Sequence, residues 1–406
     1  MRIGTKIFII LAVLAGGGAL GFYFYQAPPA QLVLSTDTVW ATTAGNSLII
    51  SNRVVVPAGA TLTIKPGTTV LFRPRAGLTI RGRLLAEGAE QSRIRLARPR
   101  VPFKLWAGIR FENATNENRL THIDIESAGS EGLAIYATNA TVTIEHARFF
   151  GALRGVIRTV DSSLILRRSV VDPVGDNEII NARRPPVGGV FLIEGNTFYP
   201  NFGYKDVIDV ADCHPPRATP RFLDNLFLGS GDDGIDVDKG IAYIAGNIFV
   251  NFNLSGHKKY ADGISSGGGG KLMVTNNLFV GNDAAVMISE GGHVTLLNNT
   301  FYRNRNNVVS LDERNSGPGG VTMRDCLLWQ NGPTFEFAER ATELVVSNSY
   351  LPEAAQWPGQ GNQTGDPRFL DPANGNFQLA ADSPAAGRGA TIDAQRFPRG
   401  LTVECR

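Results

Sequence analysis

Short apolar runs, each closed by an asparagine and then an aromatic residue, recur through the second half of the chain. Aligned, they read "LIEGNTFYPN", "FLDNLFLGSG", "YIAGNIFVNF", "MVTNNLFVGN", "LLNNTFYRNR" and "VVSNSYLPEA". The asparagines are Asn196, Asn225, Asn247, Asn277, Asn299 and Asn348, with Cys326 standing between the last two. Successive spacings are 29, 22, 30, 22, 27 and 22 residues. Two positions on stand Phe198, Phe227, Phe249, Phe279, Phe301, Leu328 and Tyr350. Weaker copies, "TIEHARFFGA" and "LILRRSVVDP", lie upstream. Runs with helical periodicity are scarce, so the pattern predicts strands.

A repeat of about 22 residues with room for three short strands predicts a parallel β-solenoid, because one coil alone cannot bury its apolar face. The asparagines are expected to form an amide ladder at one corner, each bonding to the coil above and below. The phenylalanines are expected to stack inside. A leucine-rich repeat of this length needs regularly spaced leucines, which are missing. The longer coils carry insertions of about 5 to 8 residues, which in solenoids gather on one face.

Ahead of the repeats, Arg2 and Lys6 precede an uncharged run from Ile7 to Tyr25. Such a run is just long enough to cross a bilayer, and the leading basic residues hold that end in the cytoplasm. The aromatic "FYFYQAPPA" that follows suits a membrane interface and lacks a small-x-small cleavage site, favouring an uncleaved anchor over a signal peptide. Either way, the rest of the chain is expected in the periplasm or outside the cell.

Three further segments carry a resemblance. "VVVPAGATLTIKPGTTVLFRPRAGLTIRGRLLAEG" resembles the opening coils of bacterial right-handed parallel β-helix proteins with the pectin-lyase fold. "LWAGIRFENATNENRLTHIDIESA" contains a recurrent W-x-G-I in Trp106, Gly108 and Ile109, and "GDPRFLDPANGNFQLAADSPAAGRGA" resembles a common closing segment. The resemblance covers most of residues 36–390. The expected architecture is therefore an all-β right-handed parallel β-helix solenoid preceded by one N-terminal transmembrane helix. Its divisions are an anchor over residues 1–30, the β-helix over 31–350 and a closing segment over 351–406.

One stretch, "LGSGDDGIDVDKG", places Asp232, Asp233, Asp236 and Asp238 within seven positions. Registered on the repeat, "KDVIDVA", "DDGIDVD", "ADGISSG", "DAAVMIS" and "NNVVSLD" align. Alternation sends Ile208, Ile235, Ile264, Val286 and Val309 inward and their neighbours outward. One outer column then reads Asp206, Asp233, Asp262, Ala284, Asn307, and another Asp209, Asp236, Ser265, Met287, Ser310. Coils lie about 4.8 Å apart. Two unit charges at about 5 Å repel by roughly 3 kcal/mol at an effective dielectric near 20. A cation, raised pKa values or the nearby Lys205, Lys239, Lys258 and Lys259 would relieve this, and "DG" is also ordinary turn chemistry.

Calcium takes six to eight oxygen ligands, and Asp206, Asp233, Asp236 and Asp262 are candidates to supply the carboxylates. The resemblance implies a calcium-dependent polysaccharide lyase, with Lys258, Lys259 or Arg303 as the group that removes a proton beside a uronate carboxylate. Glycoside hydrolysis is the competing chemistry, since inverting enzymes hold two carboxyls about 6.5 to 9.5 Å apart. "YKDVIDV" followed by "GSGDDGIDV" resembles the polygalacturonase order, with Asp206, Asp232 and Asp233 on the matching positions. Asp262 stands where that family has a histidine, and "AVMIS" lacks its basic pair. A third reading is a non-catalytic surface scaffold, adhesin-like, with Tyr204, Tyr260 and Tyr302 as sugar-stacking faces. An enzyme is expected to have a groove above Asp233, bordered by loops 211–220 and 251–261.

Composition narrows the partners. Lys and Arg number 39 against 37 Asp and Glu, so nothing global points to nucleic acid. Cys213, Cys326 and Cys405 are too scattered for a disulfide framework and read as buried thiols. The expected partner is a polysaccharide, an acidic glycan among the candidates, with the membrane reached through the N-terminal helix.

Overall fold

The computed structural model describes residues 31–100, 105–152, 155–172, 177–201, 203–253, 261–311 and 319–398. They wind into a parallel β-solenoid of three sheets. Sheet A runs from Gln31–Val33 up to Phe335–Glu336, sheet B from Thr38–Trp40 up to Glu343–Ser347, and sheet C from Leu48–Ile50 up to Leu327–Trp329. Sheet C has 12 strands, one per coil. Sheets A and B join where one 11-residue strand, Ile235–Ala245, passes from one to the other.

Each strand repeats the inward position of the strand below it. In sheet A, Ile109, Ile135, Ile157, Ile180, Ile208, Ile235, Ile264, Val286 and Val309 lie in register and are buried. β-branched side chains fit this pleated surface because they pack against their copies above and below. Single residues in the left-handed region turn many of the corners, among them Asn139, Asp161, His146, Asn276, Asn298 and Arg303. Asn and Asp tolerate that conformation best. The W-x-G-I segment is also explained by packing. Trp106 stacks on Phe72 at 4.5 Å, and a Cβ on Gly108 (φ 90°) would lie 2.5 Å from the Ala134 carbonyl oxygen.

The expected asparagine ladder is present. Asn196, Asn225, Asn247 and Asn277 each donate a backbone N–H and an Nδ2–H to the Oδ1 of the next member, at 2.9–3.0 Å, ending on Asn299. Inside, Phe198, Phe227, Phe249, Phe279 and Phe301 stack with centroids 4.8–5.0 Å apart. Two upper positions differ from the expected alignment. Ser349, not Asn348, continues the ladder, its Oγ accepting the Cys326 N–H at 3.1 Å. Asn348 sits one place earlier, at a left-handed corner (φ 49°), and donates to Asp325. Tyr350 accordingly pairs with Leu327, and Leu351 fills the interior. The asparagine of the motif was matched by letter, whereas the corner geometry shifts the register by one.

The closing segment does two things. Residues 358–363 cover the last coil, with Asn362 Oδ1 accepting the Ser349 N–H. The chain then runs back down the outside of sheet C. Phe369, Phe377, Ile392 and Phe397 pack over Ile248, Leu278, Val280 and Tyr302, and Arg396 reaches Asp224 at 3.2 Å. Tyr302 is buried beneath this strap and makes edge contacts with Phe369 and Phe377, so it offers no face for a sugar. A cavity of about 290 Å³ lies between strap and sheet.

No helix among the described residues is long and apolar enough to cross a membrane, and the expected span, residues 7–25, lies outside them. Cys213 and Cys326 are buried free thiols; Cys405 also lies outside the described residues.

Candidate functional site

The carboxylates gather where the chain leaves sheet C and enters sheet A. The strand register is the expected one: Asp209 pairs with Asp236, Asp236 with Ser265, Ser265 with Met287 and Met287 with Ser310. Just before these strands, Asp206 Oδ1 accepts the backbone N–H of Asp233 at 3.2 Å, and Asp233 Oδ1 accepts that of Asp262 at 3.1 Å. Side chains expected to point into solvent therefore bend up against the next coil. Asp232, Asp233 and Asp262 are buried.

The glycines beside them are not there for a left-handed turn. A Cβ on Gly234 would lie 2.5 Å from the Gly263 oxygen and 3.0 Å from the rings of Phe249 and Phe252. One on Gly263 would lie 2.8 Å from both the Ala285 oxygen and Phe279. The "DG" pairs thus let the turn sink onto the phenylalanine stack, carrying the aspartates with it. Ordinary turn chemistry does not account for them.

Asp206, Asp232 and Asp233 converge, each with a carboxylate oxygen within 4.8 Å of the others. Burial is the largest influence on Asp206 and Asp233, followed by neighbouring carboxylates, and both are pushed far above the usual range. Burial and the charges of Asp238 and Asp209 push Asp236 up to about 7. Asp238 is raised as well, chiefly by burial. Its column holds Ala211 below and Gly267 above.

Among the described residues, basic side chains do not gather at this point. Lys205 Nζ lies 3.5 Å from Glu178, and Lys239 is exposed at a left-handed corner. Lys258 and Lys259, with His257 and Tyr260, lie outside the described residues. Arg303 is not brought to the aspartates. It shares the coil of Asn307, two coils above Asp262, where its Nε donates to Gln330 at 2.8 Å and its guanidinium lies over Tyr302. The loop before sheet B folds down onto the coil below, Ala218 N–H donating to the Pro186 oxygen, so it does not border a groove above Asp233.

Two features were missed from sequence. Arg183, one coil below, forks onto Asp209 with Nη2–Oδ2 at 2.6 Å, and Asn181 donates to the same oxygen at 3.0 Å. Asp209 is thereby given a basic partner. The second is another amide ladder, Asn282, Asn304 and Asn331, at the corner entering sheet A. Its spacings of 22 and 27 residues repeat those of the first ladder, which was the available signal.

Residues 186–351 match the family model described as "Right handed beta helix region". A search of the curated proteins finds no match. Among solved structures, the chain is similar to the PL6 family alginate lyase AlyGC, at 13% identity and a TM-score of 0.47, covering 89% of this chain and 59% of that one. It thus spans less than two thirds of that enzyme's length. A mannuronic acid specific polysaccharide family 6 lyase from human gut microbiota is 14% identical with a TM-score of 0.44, covering 84% and 86%. Pectate lyase Pel9A is 14% identical with a TM-score of 0.35, covering 81% and 82%. The likeness is one of fold.

Proposed function

We propose that this is an exported, membrane-anchored β-helix protein that binds and cleaves an acidic polysaccharide at a calcium site formed by Asp206, Asp232 and Asp233, with Asp236 and Asp262 beside them. The observation that carries the reading is the convergence of three carboxylates from two successive coils within 4.8 Å. Burial and neighbouring acids leave Asp206 and Asp233 costly to ionise without a compensating charge. An all-oxygen donor set suits a hard cation such as calcium. The same closeness fits poorly with inverting hydrolysis, whose two carboxyls stand farther apart. Bound there, calcium would supply positive charge for a uronate carboxylate.

The chain's own part is to hold those oxygens. The Asp233 and Asp262 backbone N–H groups fix one oxygen each of Asp206 and Asp233. In the lyase chemistry, Lys258 or Lys259 takes the proton on the carbon next to the carboxylate. The C–H electron pair becomes a C=C double bond, the glycosidic C–O bond one carbon away breaks, and the departing oxygen takes up a proton from solvent to leave as a hydroxyl.

The test is a screen of the purified protein on uronate-containing polymers with and without calcium, read by the ultraviolet absorbance of the unsaturated product. Alongside it, calcium is expected to raise the melting temperature, since a ligand of the native state stabilises by mass action. Asp233→Asn is expected to abolish that rise and Asp238→Asn to leave it intact. No calcium effect and no product on any polymer would leave the non-catalytic scaffold standing. Recovery of mature protein beginning near residue 28 or 31 would overturn the anchor.

A further inference from the structure

Among the described residues, the first coil of the solenoid is stacked on one side only. Its strands Gln31–Val33, Thr38–Trp40 and Leu48–Ile50 pair with the coil above, and among the described residues nothing pairs with them from below. Such an edge is normally blunted by charge. Here the strands themselves carry no charge and are apolar on the outside, Leu32 being 48% exposed, Val33 52%, Val39 59% and Ile49 57%, with Asp37 the one acidic residue of the coil. Four of the ten exposed large hydrophobic side chains among the described residues thus fall in one coil.

Charge is polarised towards the same end. Residues 31–100 carry ten basic side chains against three acidic, whereas residues 101–406 carry 27 against 34. In the third coil, Arg81, Arg93 and Arg95 are paired upward with Glu112, Asp124 and Glu126. Lys65 and Arg73 of the second coil are exposed. The backbone N–H groups of Lys65 and Arg73 donate to the Trp40 and Ile50 oxygens of the first coil, which places these residues about 4.8 Å above the edge.

We propose that this end of the solenoid docks on an anionic lipid bilayer. The apolar edge enters the headgroup layer, and Lys65 and Arg73 meet the lipid phosphates. Headgroups and their water can satisfy the open backbone groups of the edge, which hydrocarbon could not. Basic residues within a Debye length, about 8 Å, feel the surface potential of anionic lipid. The inference rests on the anchor reading in one respect. Residues 26–30 would join the apolar run to Gln31 across at most about 22 Å, holding the first coil at the membrane.

The test reconstitutes the full chain in vesicles of phosphatidylcholine alone or mixed with phosphatidylglycerol and follows hydrogen exchange. Residues 31–50 are expected to exchange more slowly on the anionic vesicles, and high salt is expected to reverse this, while residues 293–311 are unchanged. Lys65→Glu with Arg73→Glu should lose the protection, by about fivefold for each positive charge removed. Equal exchange on both vesicles would overturn the proposal. So would protection that follows protein concentration and not lipid, which would mean that a second copy covers the edge. If the chain proves to be cleaved near residue 30, the anchor reading falls alone. Flotation of the processed chain with anionic vesicles then supports the docking surface, and its absence overturns it.

Discussion

At the scale of single residues, the aspartates are held by backbone groups of neighbouring coils and pressed by one another. In calcium-free protein, Asp236, pushed up to about 7, and Asp206 and Asp233, also strongly raised, keep protons that the unfolded chain has released. The folded state therefore binds more protons than the unfolded state from the ordinary carboxylate range near 4 up to those raised values. Stability falls as pH rises through that window, by about 1.4 kcal/mol per pH unit for each extra proton. Melting temperature measured with chelator is expected to climb as pH is lowered from about 8 to about 5, and calcium at the higher pH should flatten the slope. Asp233→Asn keeps the acceptor for the Asp262 N–H and removes the titrating carboxyl, so without calcium it should be neutral where Asp233 holds its proton and slightly stabilising as pH rises. A melting temperature that rises with pH in the absence of calcium would refute this account.

Among the elements, the amide ladder is the part that fastens one coil to the next. Asn277 donates to Ile244, Thr275 and Asn299 and accepts from Asn247. Asn277→Ala strands partners in the coils on either side and is expected to cost about 1 to 3 kcal/mol. Asn46→Ala, which loses only a solvent-exposed bond to the Thr43 hydroxyl, should stay within about 0.5 kcal/mol. Equal losses in a denaturant titration would count against the ladder as the fastening. Asn253, which lies in a sequence insertion, is not a neutral control, because its Nδ2 donates to the Gly281 oxygen at 2.9 Å.

For the whole molecule, the strap matters because it ties distant coils together. Phe397, near the end of the described chain, packs beside Leu278 and Val280, more than a hundred residues earlier. Its side chain is buried, so Phe397→Ala is expected to lower stability by about 3 kcal/mol and to open the strap to protease. An unchanged unfolding midpoint with unchanged cleavage would mean that the solenoid stands without it.

The parallel solenoid, the phenylalanine stack, most of the asparagine ladder and the register of the aspartate columns were all legible in the amino-acid sequence. Each is a periodic feature, and in a solenoid a position is set chiefly by its copies one coil away, so spacing along the chain translates directly into neighbours in space. Tertiary structure decided what has no period. Arg183 claims Asp209 because one coil happens to carry an arginine beside it, and Arg303 is drawn to Gln330 by a corner two coils above Asp262. Tyr302 is hidden by a strap that returns from far along the chain, a contact that leaves no repeat to read. Asn348 lost its place in the ladder through a shift of one residue at a left-handed corner, a backbone choice that the letter asparagine serves equally well in either role.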